Sequence, residues 1–240
     1  MIDTIDSIQC VIDVVIKEKG LFGLFSVPEF GKTTLMMYVV HKLSETGKKG
    51  LVFSLQYSKE PWLSKMNLLK MNSDNVVIVD DYPISISEME EIIRKEKPEL
   101  VFIDYLQLID KDSAQTLIEL ARLSDLLSIG ILISGSLYRT TGDWDADEMR
   151  PELFDLMRTI DQSTKTGEEN SFRHILDAIL SMDLIIFLHR PHECWRWVGT
   201  ARRYNVSDKA ELINKYLFNK YPLPKTCHFD FGVFTKCFDQ

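Results

Sequence analysis

Nowhere in the 240-residue chain do eighteen apolar residues run together, the length a helix needs to cross a bilayer. Met1 to Gln9 carry two aspartates instead of a basic stretch before an apolar core, which argues against a signal peptide. Cysteine is scarce. Cys10, Cys194, Cys227 and Cys237 show no CxxC spacing, so reduced thiols in a cytoplasmic protein fit better than a disulfide framework. A basic surplus is also missing: the formal charge is -8 and the isoelectric point about 5.2. Broad, non-specific binding to nucleic acid needs the opposite, a positive footprint that releases counterions. The deficit is uneven, because residues 181–240 hold nine Lys and Arg against six Asp and Glu. An anionic partner would meet that end of the chain.

What is present is apolar residue enough, 45% of the chain, to bury one full core, but the length falls short of two ordinary domains. Apolar runs of strand length lie at Leu21 to Phe25, Leu51 to Leu55, Val76 to Val79, Leu100 to Ile103, Ile131 to Ile133 and Leu184 to Leu188. Helical patterns fall between them: residues 35–43, Pro61 to Lys70, Ser87 to Lys95 with a Ser87/Glu90 capping box, and Ala114 to Leu127. Strands alternating with helices imply parallel pairing, and continuously apolar strands imply burial on both faces. The fold class is therefore α/β, a mostly parallel sheet with helices on both sides. After Leu188 the pattern turns to loops rich in Arg, His, Trp and Pro. Runs near Glu211 to Ile213, Thr226 to Phe231 and Val233 to Phe238 then predict an antiparallel extension of the sheet. Residues 1–20 read as a helical lead-in to a domain over 21–240, and the polar stretch 161–173 as a mobile surface insertion.

Between the first strand and helix lies Ser26-Val-Pro28-Glu29-Phe30-Gly31-Lys32-Thr33-Thr34. A phosphate-binding loop needs inward backbone N–H groups, a lysine that reaches terminal phosphates and a hydroxyl for magnesium at a helix start. Gly31, Lys32 and Thr33 supply the last part, while Ser26 stands where the usual first glycine would be. Such a site also needs a carboxylate at the carboxyl end of a buried parallel strand, to hold the metal's water shell. Asp104 closes Val101-Phe-Ile-Asp104 in that way. Alone, Asp104 is equally a strand-ending turn residue; beside Lys32 and Thr33 the metal role is favoured.

The stretch Phe102-Ile-Asp-Tyr-Leu-Gln-Leu-Ile109 resembles the C-terminal RecA-like motor domain of DnaB-type replicative helicases. So do Pro28 to Leu35, Leu51 to Glu60, Val79 to Ser87, Arg150-Pro151 with Asp155-Leu156, and Asp183 to Arg190, in the same order. The resemblance spans roughly residues 20–240, without a counterpart of that family's collar domain. It implies a RecA-type P-loop NTPase core, ATP with magnesium, Ser26, Pro28 to Thr34 and Asp104 as the nucleotide and metal residues, a ring of subunits and single-stranded DNA in its channel.

The chain departs from the family in four places. Gln56 stands where a glutamate deprotonates the attacking water, and an amide cannot accept that proton. Ser136 replaces the glutamine that senses the γ-phosphate, although Arg139 is kept. No arginine falls in register for the basic finger around Tyr216 to Lys220, and a lysine substitutes poorly for an arginine finger. Finally, the channel loops read Asp110-Lys-Asp112 and Gly142-Asp-Trp-Asp-Ala-Asp-Glu148, acidic where phosphates would pass. The expectation is an ATP-binding domain of weak or no hydrolysis acting in or around DNA replication. The alternative is an active DNA-dependent ATPase or 5'-3' helicase with a non-standard base and finger.

Three further groups contain residue types that carry chemistry. Asp80 and Asp81 are candidates for a substitute base, but solvated turn acids before Pro83 is the better reading. Trp195 and Trp197, interleaved with Arg196 and near Arg202 and Arg203, are suited to weak single-stranded DNA binding and equally to aromatic packing. His189, His192, Cys194, Cys227, His228 and Cys237 lack the paired spacing of a zinc site.

Overall fold

The computed structural model describes residues 4–28, 30–68, 75–109, 112–137, 151–163, 171–189, 192–198, 201–206, 209–215, 223 and 225–230. Its strands are β1 (Gly20–Ser26), β2 (Gly50–Ser54), β3 (Val76–Val79), β4 (Leu100–Asp104), β5 (Gly130–Ser136), β6 (Leu184–His189), β7 (His192–Val198), β8 (Ala201–Val206), β9 (Lys209–Lys215) and β10 (Thr226–Asp230). All but β7 and β8 form one sheet in the order β10-β9-β6-β1-β5-β4-β2-β3. The strands from β6 to β3 in that order pair in parallel. The last two in sequence, β9 and β10, extend the sheet antiparallel, as the terminal β runs predict. Val233 to Phe238 lie outside the described residues.

Strand order and crossover handedness together decide which face each helix covers. Helices α2 (Lys32–Glu45) and α3 (Lys59–Leu68) carry the chain from β1 to β2 to β3, outward along the sheet. Helices α4 (Ile86–Glu96), α5 (Ser113–Leu127), α6 (Leu153–Ser163) and α7 (Ser171–Leu180) carry it back through β4 and β5 to β6. Right-handed crossovers put opposite directions of travel on opposite faces. The side chains agree, for α2 and α3 pack into one apolar cluster with Phe22, Leu24, Val52 and Phe102, while α4 to α7 pack into another with Leu21, Phe25, Phe53 and Ile103. Neighbouring residues of a strand thus enter different cores, which is why these strands are apolar throughout.

Helix α1 (Thr4–Lys17) lies within the helical lead-in expected over residues 1–20. Ile8, Val11, Ile12, Val15 and Ile16 are buried in the same cluster as α2. Of residues 161–173, the first three close α6 and the last three open α7, and 164–170 lie outside the described residues. The capping box of α4 is Ser85 with Glu88, not Ser87 with Glu90: Ser85 Oγ accepts from Glu88 N at 3.3 Å and Glu88 Oε2 accepts from Ser85 N at 2.8 Å. The earlier start adds Ile86 to the stripe that Met89 and Ile93 bury, and Glu90 instead accepts from Arg94 one turn on. The segment after His189, expected as loops, forms the hairpin of β7 and β8. There Trp197 pairs with Arg202 and Arg196 with Arg203. Alternation of aromatic and polar residues over 194–197 was the strand signal. Among the described residues no helix is long and apolar enough to cross a membrane.

Candidate functional site

The carboxyl ends of β1, β2, β4 and β5 meet at the edge where open parallel sheets bind ligands. Ser26 ends β1, and the loop that follows turns into α2 through Gly31, whose φ of 94° lies in the left-handed region. Glycine adopts that conformation without the penalty a Cβ carries. The turn sets the first N–H groups of α2 facing out of the helix start, where unpaired donors and the helix dipole favour an anion.

Lys32 is buried, and its Nζ donates to Ser26 O at 3.3 Å, Ser26 Oγ at 3.2 Å and Val27 O at 3.3 Å. The ammonium is folded back on its own loop. Burial pushes its pKa down from 10.5 to about 8, against the opposing pull of the Asp104 carboxylate. Beside it, Thr33 Oγ1 donates to Asp104 Oδ2 at 2.7 Å across 71 positions of sequence. Asp104 is only 1% exposed. A hydroxyl and a carboxylate are oxygen donors of the kind a hard divalent cation takes, so the residues present fit magnesium. Among the described residues no cluster of three or more His, Cys, Asp or Glu forms a metal site of another type.

A cavity of about 540 Å³ opens over these groups, lined by Pro28, Gly31, Lys32, Thr33, Thr34 and Gln56 among others. The structure therefore brings the loop, Thr33 with its partner Asp104, and Gln56 together. Phe30 is not in the lining but buried at 1% exposure, an anchor beneath the loop. Glu29 and Arg139 fall outside the described residues, as do the side chains of Arg196, Arg202 and Arg203. Asp80 Oδ2 accepts from Lys59 N at 2.9 Å, at the first turn of α3, and neither Asp80 nor Asp81 is among the described residues that line the cavity.

Sequence reasoning overlooked two groups. Ser134, fully buried in β5, donates from Oγ to Asp104 Oδ1 at 2.5 Å. A serine inside the run Ile131-Leu-Ile-Ser134 was the available signal, since buried hydroxyls need partners. Gln107 pairs its side-chain amide with the backbone of Ser136, donating to O at 2.8 Å and accepting from N at 3.3 Å. That pairing clasps the end of β5 to the short 3-10 turn after β4 (Leu106–Leu108). The position expected to sense the γ-phosphate is thus held from the side by another residue's amide.

The fold built on this site has counterparts of known structure. A separately solved ATPase domain superposes with a TM-score of 0.59 over 88% of this chain and 80% of its own, at 15% identity. A DnaB-like replicative helicase, solved for its interactions with primase, superposes with a TM-score of 0.63 at 16% identity. The fold is that of a DnaB-like helicase ATPase domain. The match covers 90% of this chain but 56% of the second structure's chain, so the RecA-like core corresponds to about half of that protein. No family model matches the sequence, and no curated protein does either.

Proposed function

We propose that the chain is an ATP-binding RecA-like domain that holds its nucleotide with magnesium and hydrolyses it weakly or not at all. The observation that carries the reading is the 2.7 Å contact between Thr33 and Asp104 beside the buried Lys32, with Lys32 and Thr33 both lining one cavity. In this role Lys32 leaves its three loop oxygens for the terminal phosphate oxygens, and the N–H groups at the start of α2 bind the remaining phosphates. Thr33 and Asp104 hold the cation, which when bound draws charge from the phosphate oxygens. Gln56, exposed in the cavity wall, can orient a water by hydrogen bonding but cannot take its proton. With Asp80 engaged at α3, nothing described in the cavity offers a substitute base.

By analogy with DnaB-like helicases, the setting we propose is DNA replication or related DNA metabolism in the cytoplasm, in a ring-type homo-oligomer. Contact with single-stranded DNA is expected to be weak and to run through Arg196, Arg202 and Arg203 on the β7–β8 hairpin, given the chain's charge of -8. The test is calorimetric titration of ATP with magnesium, with and without single-stranded DNA, against Lys32→Ala. Binding in the wild type and its loss in the variant are expected. Absence of wild-type binding at millimolar ATP would leave only a scaffold role.

A further inference from the structure

We infer that Ser134 is a positioning residue for the metal carboxylate, a role that rests on the nucleotide-and-magnesium reading above. Asp104 and Ser134 stand on adjacent parallel strands, each one residue beyond the paired Ile103 and Ile133. Each oxygen of Asp104 receives one hydroxyl: Oδ2 from Thr33 at 2.7 Å and Oδ1 from Ser134 at 2.5 Å. The two donors come from opposite sides, Thr33 from the phosphate-loop helix and Ser134 from within the sheet, where it is fully buried. Rotation of the carboxylate about its Cβ–Cγ bond would break both contacts. Oδ2 therefore stays presented to Thr33, which lines the cavity, and the strand interior keeps Oδ1.

That arrangement separates the two contacts by function. Thr33 lines the cavity and is itself a donor to the cation. Ser134, like Asp104, is absent from the described cavity lining, and its hydroxyl is engaged on Asp104 Oδ1, so it would reach the metal only through Asp104. Groups that orient a metal's ligands typically change metal affinity by about 10–100-fold when removed. Without Ser134 the buried Oδ1 has lost its donor, and the carboxylate gains by turning toward any hydroxyl within reach, Thr33 included. Magnesium-dependent binding should then weaken while the contacts of Lys32 and the loop N–H groups with the phosphates persist.

The experiment titrates a non-hydrolysable ATP analogue into wild type, Ser134→Ala, Ser134→Cys and Ser134→Thr, in excess magnesium and in EDTA. Cysteine keeps the volume with a weak donor, so it separates packing from hydrogen bonding should the alanine variant fold poorly. In EDTA the variants should bind within about twofold of wild type. In magnesium, Ser134→Ala and Ser134→Cys should lose about tenfold or more, and Ser134→Thr, which keeps a hydroxyl, should recover most of it. An unchanged magnesium gain in Ser134→Ala and Ser134→Cys, or equal losses with and without the cation, would overturn the assignment and leave Ser134 a structural residue. A wild type that binds the analogue no better with magnesium than without would instead sink the metal reading of Asp104 itself, and this inference with it.

Discussion

Replacing Lys32 by methionine should make the empty protein more stable while removing its nucleotide affinity. The buried ammonium has its pKa lowered from 10.5 to about 8, and a displacement of that size corresponds to about 3 kcal/mol of unfavourable free energy in the charged folded state. The sign follows from proton binding. Between pH 8 and 10.5 the unfolded chain keeps a proton that the folded chain has given up, so this cost is full below pH 8 and fades as the pH rises toward 10.5. Methionine has a similar length and no charge to desolvate, but Ser26 O and Val27 O each lose one of two donors, keeping Leu137 N and Ser26 Oγ at 2.8 Å, a loss on the order of 1 kcal/mol. The variant should therefore be more stable than wild type by about 1–2 kcal/mol at pH 7, and by about 2 kcal/mol less than that margin at pH 9.5. Urea unfolding of both proteins at the two pH values measures the gap directly and cancels titrations they share. A variant less stable than wild type at pH 7, with a gap that does not move with pH, would refute the view that Lys32 is held at a desolvation cost. ATP would then be expected to gain nothing from relieving it.

Two other outcomes are expected. Gln56→Glu should raise single-turnover ATP hydrolysis at least tenfold without tightening nucleotide binding, since general-base contributions are typically about 10² to 10⁴ in rate; a wild type that already turns over several ATP per second and is unchanged by the substitution would favour the active-helicase alternative. Ser85→Ala should cost about 1 kcal/mol in urea unfolding through loss of the α4 cap, whereas Ser87→Ala should cost a few tenths at most.

The sequence by itself determined the layers and the loop proposed to bind phosphate. Six apolar runs of strand length separated by helical patterns leave few solutions other than a parallel sheet covered on both faces, because neither face of such strands tolerates water. Gly31-Lys32-Thr33 between a strand and a helix is a local motif, so its geometry follows from a few consecutive backbone conformations. Positions set by local periodicity alone were less secure: two Ser-x-x-Glu frames overlap before α4, and burial of Ile86 selected the first. The hairpin β7–β8 was obscured by its polar composition, and helices α6 and α7 by the polar stretch between them. What only the tertiary structure decided was which distant residues meet. Ser134 is an ordinary serine until β5 is placed between β1 and β4, when its hydroxyl lies against Asp104. Likewise, nothing near Gln107 in sequence indicates that its amide will hold Ser136, 29 positions away. Such contacts depend on strand order and register, which come from the packing of two cores, a quantity summed over the whole chain and absent from any short stretch of it.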